Sequence, residues 1–203
     1  MAFLGLLAAV AMLRGVELLI SRRHEVALEA RGARKAGDPS FPWMVMVHTG
    51  ILTGAALEVV LLHRRWIPSL GLSMGALFIL ANVVRWWVIR TLGHHWNIHV
   101  INSTPFGVIS GGPFRFVRHP NYAAVFIELA TLPLIHTAWL TAAIGTAGHA
   151  WVLSRRLAVE DLLLIGSPEY RAVMAGKPRF VPRFFGDRLE SRSKPAALGQ
   201  DTE

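Results

Sequence analysis

The sequence predicts an all-α, polytopic membrane protein with about five transmembrane helices. Of its 203 residues, 53% are hydrophobic and only 17% are charged, whereas soluble domains usually carry about 25% charged residues. The apolar residues are gathered into runs, three of which approach the roughly 20 residues that a helix needs to span a bilayer core. Lipid is therefore expected to be the solvent around most of the chain.

The net charge of +8 is spread over basic clusters that flank the apolar runs. Nucleic-acid binding would be one explanation of this charge, but the positive-inside rule for membrane proteins explains its placement better. No nucleic-acid partner is therefore predicted. The chain has no cysteine, which excludes disulfides, thiolate metal sites and a cysteine nucleophile.

The N-terminal membrane region is predicted to cover residues 1–92 and to contain three spans. A signal peptide is an alternative for the first run, but a signal peptide carries basic residues before its apolar stretch. Here nothing charged precedes Arg14, so a retained transmembrane helix is favoured. The three predicted spans are Ala2–Ile20, Trp43–Leu62 and Leu70–Leu92.

A second region, residues 93–185, is predicted to combine a polar segment with a helical hairpin. Gly, Pro, Ser and Asn accumulate from Gly93 to Asn121, as is typical of a loop. Two shorter apolar runs follow, Tyr122–Ile135 and Ala138–Leu153. Each is marginal alone, but together they predict a hairpin that crosses the membrane and returns.

Two further helices and a disordered tail are predicted for the rest of the chain. A charged helix is expected from Arg155 to about Ile165, and the Ser-Pro-Glu-Tyr sequence from Ser167 opens a further short helix. Residues 186–203 have no apolar periodicity and are predicted to be disordered.

The basic residues predict a cytoplasmic location for most of the polar segments. With the basic loop 22–35 inside, five spans also place residues 93–121 and the basic C-terminal region inside. The connection His63–Arg65 would face outward and is the exception. Because the abundance of Ala, Leu, Gly and Arg is compatible with a bacterial source, the bacterial inner membrane is the expected location.

Ionisable residues lie inside the first three predicted spans, where an isolated charge costs about 3 kcal/mol or more. One interpretation is structural: Arg14 pairs with Glu17 near the interface, and Arg85 snorkels from a helix end. The other interpretation is a polar cavity among the three helices. In that cavity Glu17, His48 and Glu58 would face the headgroup of a substrate.

The most informative stretch is Gly-Gly-Pro-Phe-Arg-Phe-Val-Arg-His-Pro-Asn-Tyr, which ends at Tyr122. Gly-Gly-Pro predicts a tight turn, after which Arg118, His119 and Tyr122 offer a cation, an imidazole and a phenol just before a helix. The free N–H groups and the dipole of a helix start suit an anionic group. A basic anchor for lipid phosphates is the structural alternative, and the Arg-His-Pro-Asn-Tyr order disfavours it.

In this stretch the sequence resembles the isoprenylcysteine carboxyl methyltransferase family of integral-membrane, S-adenosylmethionine-dependent enzymes. The resemblance covers roughly residues 85–185, although Met174 stands where the family often has a second tyrosine. The matching motifs are Leu92-Gly93-x-x-Trp96, Gly112-Pro113-Phe114-Arg115, Arg118-His119-Pro120-Asn121-Tyr122, Arg156-x-x-x-Glu160-Asp161, Glu169-Tyr170 and Arg179-Phe180-x-Pro182.

The resemblance implies S-adenosyl-L-methionine as the cofactor, bound in the cytoplasmic region between Arg-His-Pro-Asn-Tyr and the helix after the last span. His119, Pro120 and Tyr122 would contact its methionine and ribose parts. Glu160, supported by Arg156, would accept hydrogen bonds from the ribose hydroxyls or the amino group. The complete set of implied cofactor-binding residues is Trp96, Arg118, His119, Pro120, Asn121, Tyr122, Arg156 and Glu160. A Rossmann methyltransferase is excluded because no Gly-x-Gly-x-x-Gly follows a predicted strand.

Methyl transfer from a sulfonium is an in-line displacement that requires positioning, exclusion of water and a nucleophilic acceptor. A carboxylate is already ionised, whereas a phenolic or enolic hydroxyl needs a base, for which Glu17, His48 and Glu58 are the predicted catalytic candidates. The bacterial enzymes that this chain resembles act on lipophilic substrates. O-methylation of a prenylated or fatty carboxylate, or of a long-chain alkyl phenol or pyrone, is therefore predicted, with the acceptor entering from the membrane lipids. The sequence does not predict the oligomeric state.

Two other functions and a metal site are weaker interpretations. Sterol-type membrane reductases, which use NADPH, have a similar Arg-His-Pro-Asn-Tyr segment, and Arg115 and Arg118 would suit a 2′-phosphate. A lipid-binding or assembly protein without catalysis is the third possibility. His94, His95 and His99 resemble metal ligands, but no carboxylate lies in their loop, so no metal is predicted.

Overall fold

The computed structural model describes residues 1–35, 37–102 and 106–182. This part of the chain is built from six α-helices, which confirms the predicted all-α class. The predicted disordered tail 186–203 lies outside the described residues, and the division into regions 1–92 and 93–185 stays a prediction. The helices are α1 (Ala2–Ala30), α2 (Phe41–Leu61), α3 (Pro68–Leu92), α4 (Pro120–Leu134), α5 (Trp139–Gly166) and α6 (Pro168–Met174).

Short elements connect the helices at the end of the bundle that carries the Arg118–Tyr122 motif. One-turn 3-10 helices cover Gly93–His95 and Gly112–Arg115. The strands β1 (Arg34–Lys35) and β2 (Ile101–Asn102) pair antiparallel. This pairing joins the loop after α1 to the polar segment after α3, so the two lie at the same end of the helices.

Three helices are long and apolar enough to cross a membrane, namely α1, α2 and the stretch from Pro68 to His95 that contains α3. Helices α4 and α5 are not among these three, but they pack against each other as the expected helical hairpin. The turn between them contains Thr137, whose φ of 57° places it in the left-handed region. The Thr137 hydroxyl donates a hydrogen bond to the Arg65 carbonyl at 2.8 Å, which holds the turn against the α2–α3 connection.

Helix α5 is longer than the sequence indicated. The predicted span ending at Leu153 and the charged helix from Arg155 are one continuous helix of 28 residues. No proline interrupts residues 139–166, so the backbone has no reason to break where the composition changes from apolar to charged. One rigid element therefore connects the membrane region to the polar motif.

Close packing of the helices fixes the position of α5. It contacts α2 and α4, while α4 also packs extensively on α3. A Cβ atom at Gly145 would lie 2.5 Å from Ile51 Cγ1, so glycine is needed where α5 crosses α2. Phe3, Leu7 and Leu132 belong to a core cluster that brings α1 onto the same bundle.

Candidate active site

A single cavity of about 600 Å³ extends from the membrane helices to the polar motif. Its membrane part is lined by side chains of α1, α2, α3 and the first half of α5, including Arg14, His48 and His149. Its other part is lined by the segment 95–101, the motif 118–122 and the second half of α5. The cavity therefore connects the space among the membrane helices with the motif that the sequence singled out.

Arg156 organises the motif end of the cavity. This guanidinium is only 5% exposed, and each of its three nitrogens donates a hydrogen bond. Nε donates to the Tyr122 hydroxyl at 2.7 Å, and Nη1 donates to Asp38 Oδ2 at 2.8 Å. Nη2 donates to the Ile98 carbonyl. Arg156 thus joins α5 to the start of α4 and to two loops.

Tyr122 connects Arg156 to Glu160. Its hydroxyl accepts from Arg156 and donates to Glu160 Oε2. Arg156 and Glu160 are four residues apart on α5 and therefore share one face of the helix. The structure thus brings Tyr122, Arg156 and Glu160 together at the cavity wall, as the sequence predicted from two separate motifs.

Asp161 follows Glu160 on α5 and contacts His119 of the motif and Arg179 of the C-terminal segment. Its Oδ1 is 3.0 Å from His119 Nε2, and its Oδ2 accepts from Arg179 Nη2 at 2.6 Å. Burial disfavours ionisation of this carboxyl, but the hydrogen bonds to His119 and Arg179 outweigh it and keep the Asp161 pKa below its usual value. Backbone hydrogen bonds from Arg118 and His119 to the carbonyls of Pro178 and Arg179, both 2.9 Å, fasten the C-terminal segment over the same place.

The cavity wall carries buried polar atoms that have no partner within the described residues. Such atoms are rare in folded proteins, because leaving a buried polar group unpaired costs free energy. Away from the cavity, only two other atoms of the described residues are buried without a hydrogen-bond partner, Glu128 Oε2 and His136 Nδ1. Those at the cavity are His95 Nδ1, Trp96 Nε1, Arg118 Nε, Asn121 Oδ1, Tyr170 OH and both ring nitrogens of His149.

Four charged side chains form a network in the membrane part. Arg85 holds Glu17 with two hydrogen bonds, Nε to Oε1 at 3.0 Å and Nη2 to Oε2 at 2.6 Å. Arg14 pairs with Glu17 and also with Glu128 of α4. Two positive and two negative charges thus compensate one another. Because Arg85 is only 6% exposed and paired, the interpretation that it snorkels from a helix end is wrong.

Two histidines face each other across α2 and α5. His48 Nδ1 donates to the Met44 carbonyl at 2.7 Å, which fixes the orientation of that ring. Its centroid lies 5.3 Å from the centroid of His149, with the ring planes at 88°. His149 is 4% exposed and lines the cavity, so a second imidazole stands beside the predicted one.

Residues 74–166 match the family model described as the isoprenylcysteine carboxyl methyltransferase (ICMT) family. The chain is similar to that family over this segment. The matched segment contains most of α3, all of α4 and α5, and the residues Tyr122, Arg156 and Glu160 of the cavity wall.

Two bacterial proteins are similar to the chain over most of its length. The uncharacterized protein YpbQ of Bacillus subtilis (strain 168) is 28% identical over 159 residues, which cover 78% of this chain and 94% of that protein. An uncharacterized protein of Haemophilus influenzae is 28% identical over 155 residues, covering 76% of this chain and 90% of that protein.

Three helices able to cross a membrane and the match of residues 74–166 to the ICMT family support an integral membrane protein related to methyltransferases that use S-adenosylmethionine. The cavity wall fits that cofactor by chemistry: Trp96 Nε1 and Arg118 Nε are free donors for a carboxylate. Asn121 Oδ1 and the Glu160 carboxylate are acceptors for an ammonium group or ribose hydroxyls.

Two of the predicted bases are corrected by the structure. Glu58 does not line the cavity; its carboxylate accepts from the backbone N–H groups of Leu140 and Thr141 at 3.1 and 2.8 Å, and from Arg64. It caps α5 at the end of the bundle away from the motif, where a carboxylate suits the helix dipole. Glu17 does line the cavity, but both of its oxygens are held by guanidinium groups, so it is an ion-pair partner and not a free base.

The other predicted site residues, Trp96, His119, Pro120, Asn121 and His48, all line the cavity. Sequence reasoning missed His149 and Tyr170, which line the cavity, and Asp38 and Glu128, which pair with arginines that line it. Burial raises the pKa of the Tyr170 phenol to about 12, with Glu160 adding to the effect, so Tyr170 is a neutral donor. Met174 also lines the cavity and is 1% exposed, which makes that position apolar where the family often has tyrosine.

The histidines once considered as metal ligands are dispersed. His94 packs edge-on against His24, with centroids 5.4 Å apart. His99 stacks near Phe41 at 4.2 Å. Within the described residues, no group of three or more His, Asp or Glu side chains is arranged to hold a metal ion.

Proposed function

We propose that this protein is an S-adenosylmethionine-dependent O-methyltransferase that acts on a lipophilic acceptor entering from the bilayer. The observation that carries the proposal is the single cavity, which joins unpaired polar atoms at the ICMT motif to an apolar region among the membrane helices. A polar cofactor and an apolar acceptor would need this arrangement in order to meet. The acceptor class is a prenylated or fatty carboxylate, or a long-chain alkyl phenol or pyrone.

The cofactor residues are assigned by the chemistry of their free atoms. Arg118 and Trp96 would hold the methionine carboxylate, and Asn121 and Glu160 would hold the amino group or the ribose hydroxyls. Apolar side chains at the same end, such as Leu163 and Leu164, would cover the adenine. When bound, S-adenosylmethionine supplies an electrophilic methyl group on a sulfonium.

The residues of the chain would accelerate transfer by positioning and by excluding water. Arg156 holds the Tyr122 hydroxyl, and that hydroxyl donates to Glu160, so the Glu160 carboxylate is preorganised before the cofactor binds. His119 is fixed by Asp161 in the same way and acts as a positioning residue. Desolvation of an anionic acceptor oxygen in the apolar cavity would make it a stronger nucleophile.

The proposed orientation has the cofactor end in the cytoplasm of a bacterial cell, where S-adenosylmethionine is made. Ser21 and His24, at the basic end of α1, contact the segment that leads into the motif. Ser21 Oγ accepts from the Ile98 N–H at 2.8 Å, and His24 Nδ1 donates to the Trp96 carbonyl at 2.8 Å. The basic residues after Ile20 and the cofactor end therefore share one side, as the positive-inside rule requires of a cytoplasmic site.

The reductase alternative has less support from the geometry. Arg115, one of the two cations that would suit a 2′-phosphate, is exposed and lies outside the cavity lining. Its guanidinium stacks 5.2 Å from the ring of Phe116 instead. An NADPH oxidation assay run beside the methyl-transfer assay separates the two functions.

The proposal is tested by transfer of a labelled methyl group from S-adenosylmethionine to organic-extractable product, with the purified full chain in lipid vesicles. Wild type is expected to label at least one of a fatty acid, a prenylated acid and a long-chain alkyl phenol. Glu160→Gln should lower the rate at least about tenfold, the value of one hydrogen bond to a charged group. Glu29→Gln, at an exposed carboxylate of α1, is the matched control and should be unaffected. Oxidation of NADPH without methyl transfer would overturn the proposal.

A further inference from the structure

His149 is the most unusual polar residue of the membrane part of the cavity. Its side chain is buried, it lines the cavity, and both ring nitrogens lack a hydrogen-bond partner within the described residues. A buried imidazole normally has at least one nitrogen paired. The bundle therefore keeps a donor and an acceptor available at a place that only a ligand in the cavity can reach.

The ring of His149 is held by aromatic contacts and not by hydrogen bonds. His48 stands edge-on to it at 5.3 Å, and Phe126 lies 6.0 Å away, measured between ring centroids. Next to His149, a Cβ atom at Gly148 would approach Val47 Cγ2 to 3.5 Å, so α5 and α2 are close together here. These contacts fix the plane of the ring and leave its nitrogens free.

The position of His149 along α5 suits an acceptor and not the cofactor. It lies seven residues before Arg156 and eleven before Glu160. At 1.5 Å per residue, these separations are about 10 and about 16 Å along the helix axis. His149 is thus on the membrane side of the cofactor residues, within the same cavity.

The charged groups in the same part of the cavity leave two histidines as the available bases. Arg14 and Arg85 are cations, and Glu17 is held by both of them. His48 commits Nδ1 to a backbone carbonyl, so only its Nε2 can bind an acceptor. A neutral imidazole carries an acceptor nitrogen and a donor nitrogen, and in His149 both are free.

We propose that His149 binds an acceptor whose reacting oxygen carries a proton, a lipophilic phenol or enol, and accepts that proton during methyl transfer. This inference rests on the proposed function and narrows its acceptor class, because a carboxylate would arrive ionised and need no base. The acceptor oxygen forms a bond to the methyl carbon as the carbon–sulfur bond of the donor breaks, and the electron pair of that bond stays on sulfur. The hydroxyl proton passes to the free nitrogen of His149 and leaves to solvent before the next turnover.

The test compares His149→Gln with wild type on three acceptors that have the same alkyl chain. They are a phenol, a nitro-substituted phenol that is ionised at the assay pH, and a carboxylic acid. His136→Gln, in the hairpin turn and outside the cavity lining, is the matched control. Calorimetric titration with S-adenosylhomocysteine reports whether each variant is folded and binds cofactor.

The proposal predicts that His149→Gln lowers kcat/KM for the parent phenol by at least about 100-fold, the usual contribution of general base catalysis. The ionised nitrophenol should lose less than about tenfold, and S-adenosylhomocysteine affinity and the His136→Gln control should be unchanged. An equal loss on both phenols, or no loss on either, would overturn the role of His149. The same applies if wild type methylates only the carboxylic acid.

A different result identifies a failure of the proposed function itself. If wild type neither binds S-adenosylhomocysteine nor methylates any of the three acceptors, the methyltransferase proposal fails, and the base proposal fails with it. His149→Asn is a second variant with a similar polar side chain. If His149→Gln does not fold, the same criteria apply to His149→Asn.

Discussion

Single residues in the cavity show how stability and binding are separated in this molecule. Arg156 has all of its nitrogens paired with protein groups, so its first role is to hold Tyr122 and two loops in place. The Tyr170 hydroxyl, in contrast, is buried and has no partner within the described residues. A residue of the first kind supports the fold, and one of the second kind is available to a ligand.

Tyr170→Phe therefore tests ligand binding without disturbing the fold. Removal of a buried, unpaired hydroxyl should leave the thermal unfolding midpoint unchanged or slightly raised. Affinity for S-adenosylhomocysteine should fall by about two- to tenfold, the value of one neutral hydrogen bond. Calorimetry and thermal unfolding of the same preparation measure both quantities. A large loss of stability with unchanged affinity would show that the hydroxyl serves the fold.

The contacts of Asp161 with His119 and Arg179 can be tested through the pH dependence of stability. The pKa of Asp161 is lowered in the folded protein from its ordinary value of 3.8. The ionised carboxylate therefore stabilises the fold at any pH above 3.8, and this stabilisation is lost as the pH falls through the lowered pKa. Wild type should be more stable than Asp161→Asn at neutral pH, and the difference should shrink in acid. Denaturant unfolding at several pH values measures it. A difference that grows in acid would contradict the assigned contacts with His119 and Arg179.

At the scale of elements, α5 connects the two halves of the site. Its start is capped by Glu58 of α2, its middle carries His149, and its last turns carry Arg156 and Glu160. Since one continuous helix carries His149, Arg156 and Glu160, the distances among these three residues are fixed. Removing the cap at the start of α5 should lower the stability of the protein and leave the rate of methyl transfer nearly unchanged.

Glu58→Gln tests whether that residue caps α5 or acts as a base. A capping role predicts a loss of about 1–2 kcal/mol of stability, since an N-cap interaction has this value. Affinity for S-adenosylhomocysteine and turnover per folded molecule should stay close to wild type. Thermal unfolding and the methyl-transfer assay distinguish the outcomes. Full stability with lost turnover would restore Glu58 as a catalytic candidate.

The sequence predicted those parts of the fold and site that depend on local pattern. The start of α4 at Pro120 and the shared face of Arg156 and Glu160 follow from proline geometry and helical spacing. The cap by Glu58 was not predictable, because it depends on which helix end α2 meets. Asp38 was missed for a similar reason, since its carboxylate reaches Arg156 across 118 residues. His149 had a usable signal, an ionisable residue inside an apolar run.

At the scale of the whole molecule, the charges buried among α1, α3 and α4 hold the membrane bundle together. Arg14, Arg85, Glu17 and Glu128 sum to zero charge. Removing one member of such a group is strongly destabilising, because it leaves an unpaired charge in a medium of low dielectric constant. The network also lines one side of the cavity through Arg14, Glu17 and Arg85, which keeps that wall polar.

A double substitution tests this compensation. Arg85→Met alone leaves two carboxylates with only Arg14, so it should lower the unfolding midpoint markedly, in line with the 3–5 kcal/mol typical of a broken buried pair. Glu17→Gln combined with Arg85→Met restores neutrality and should recover much of that loss. Thermal unfolding in detergent measures both variants. Glu17→Gln alone completes the comparison: if the double variant is less stable than wild type by the sum of the two single effects, the two residues do not interact.

We propose that the Arg-His-Pro-Asn-Tyr motif and the end of α5 bind S-adenosylmethionine. Calorimetric titration of the detergent-purified protein with S-adenosylhomocysteine and, separately, with NADPH tests this binding, with Glu160→Ala beside wild type. We predict that wild type binds S-adenosylhomocysteine, that Glu160→Ala weakens this binding at least about tenfold, and that NADPH gives no heat of binding. Binding of NADPH in place of S-adenosylhomocysteine would contradict the account.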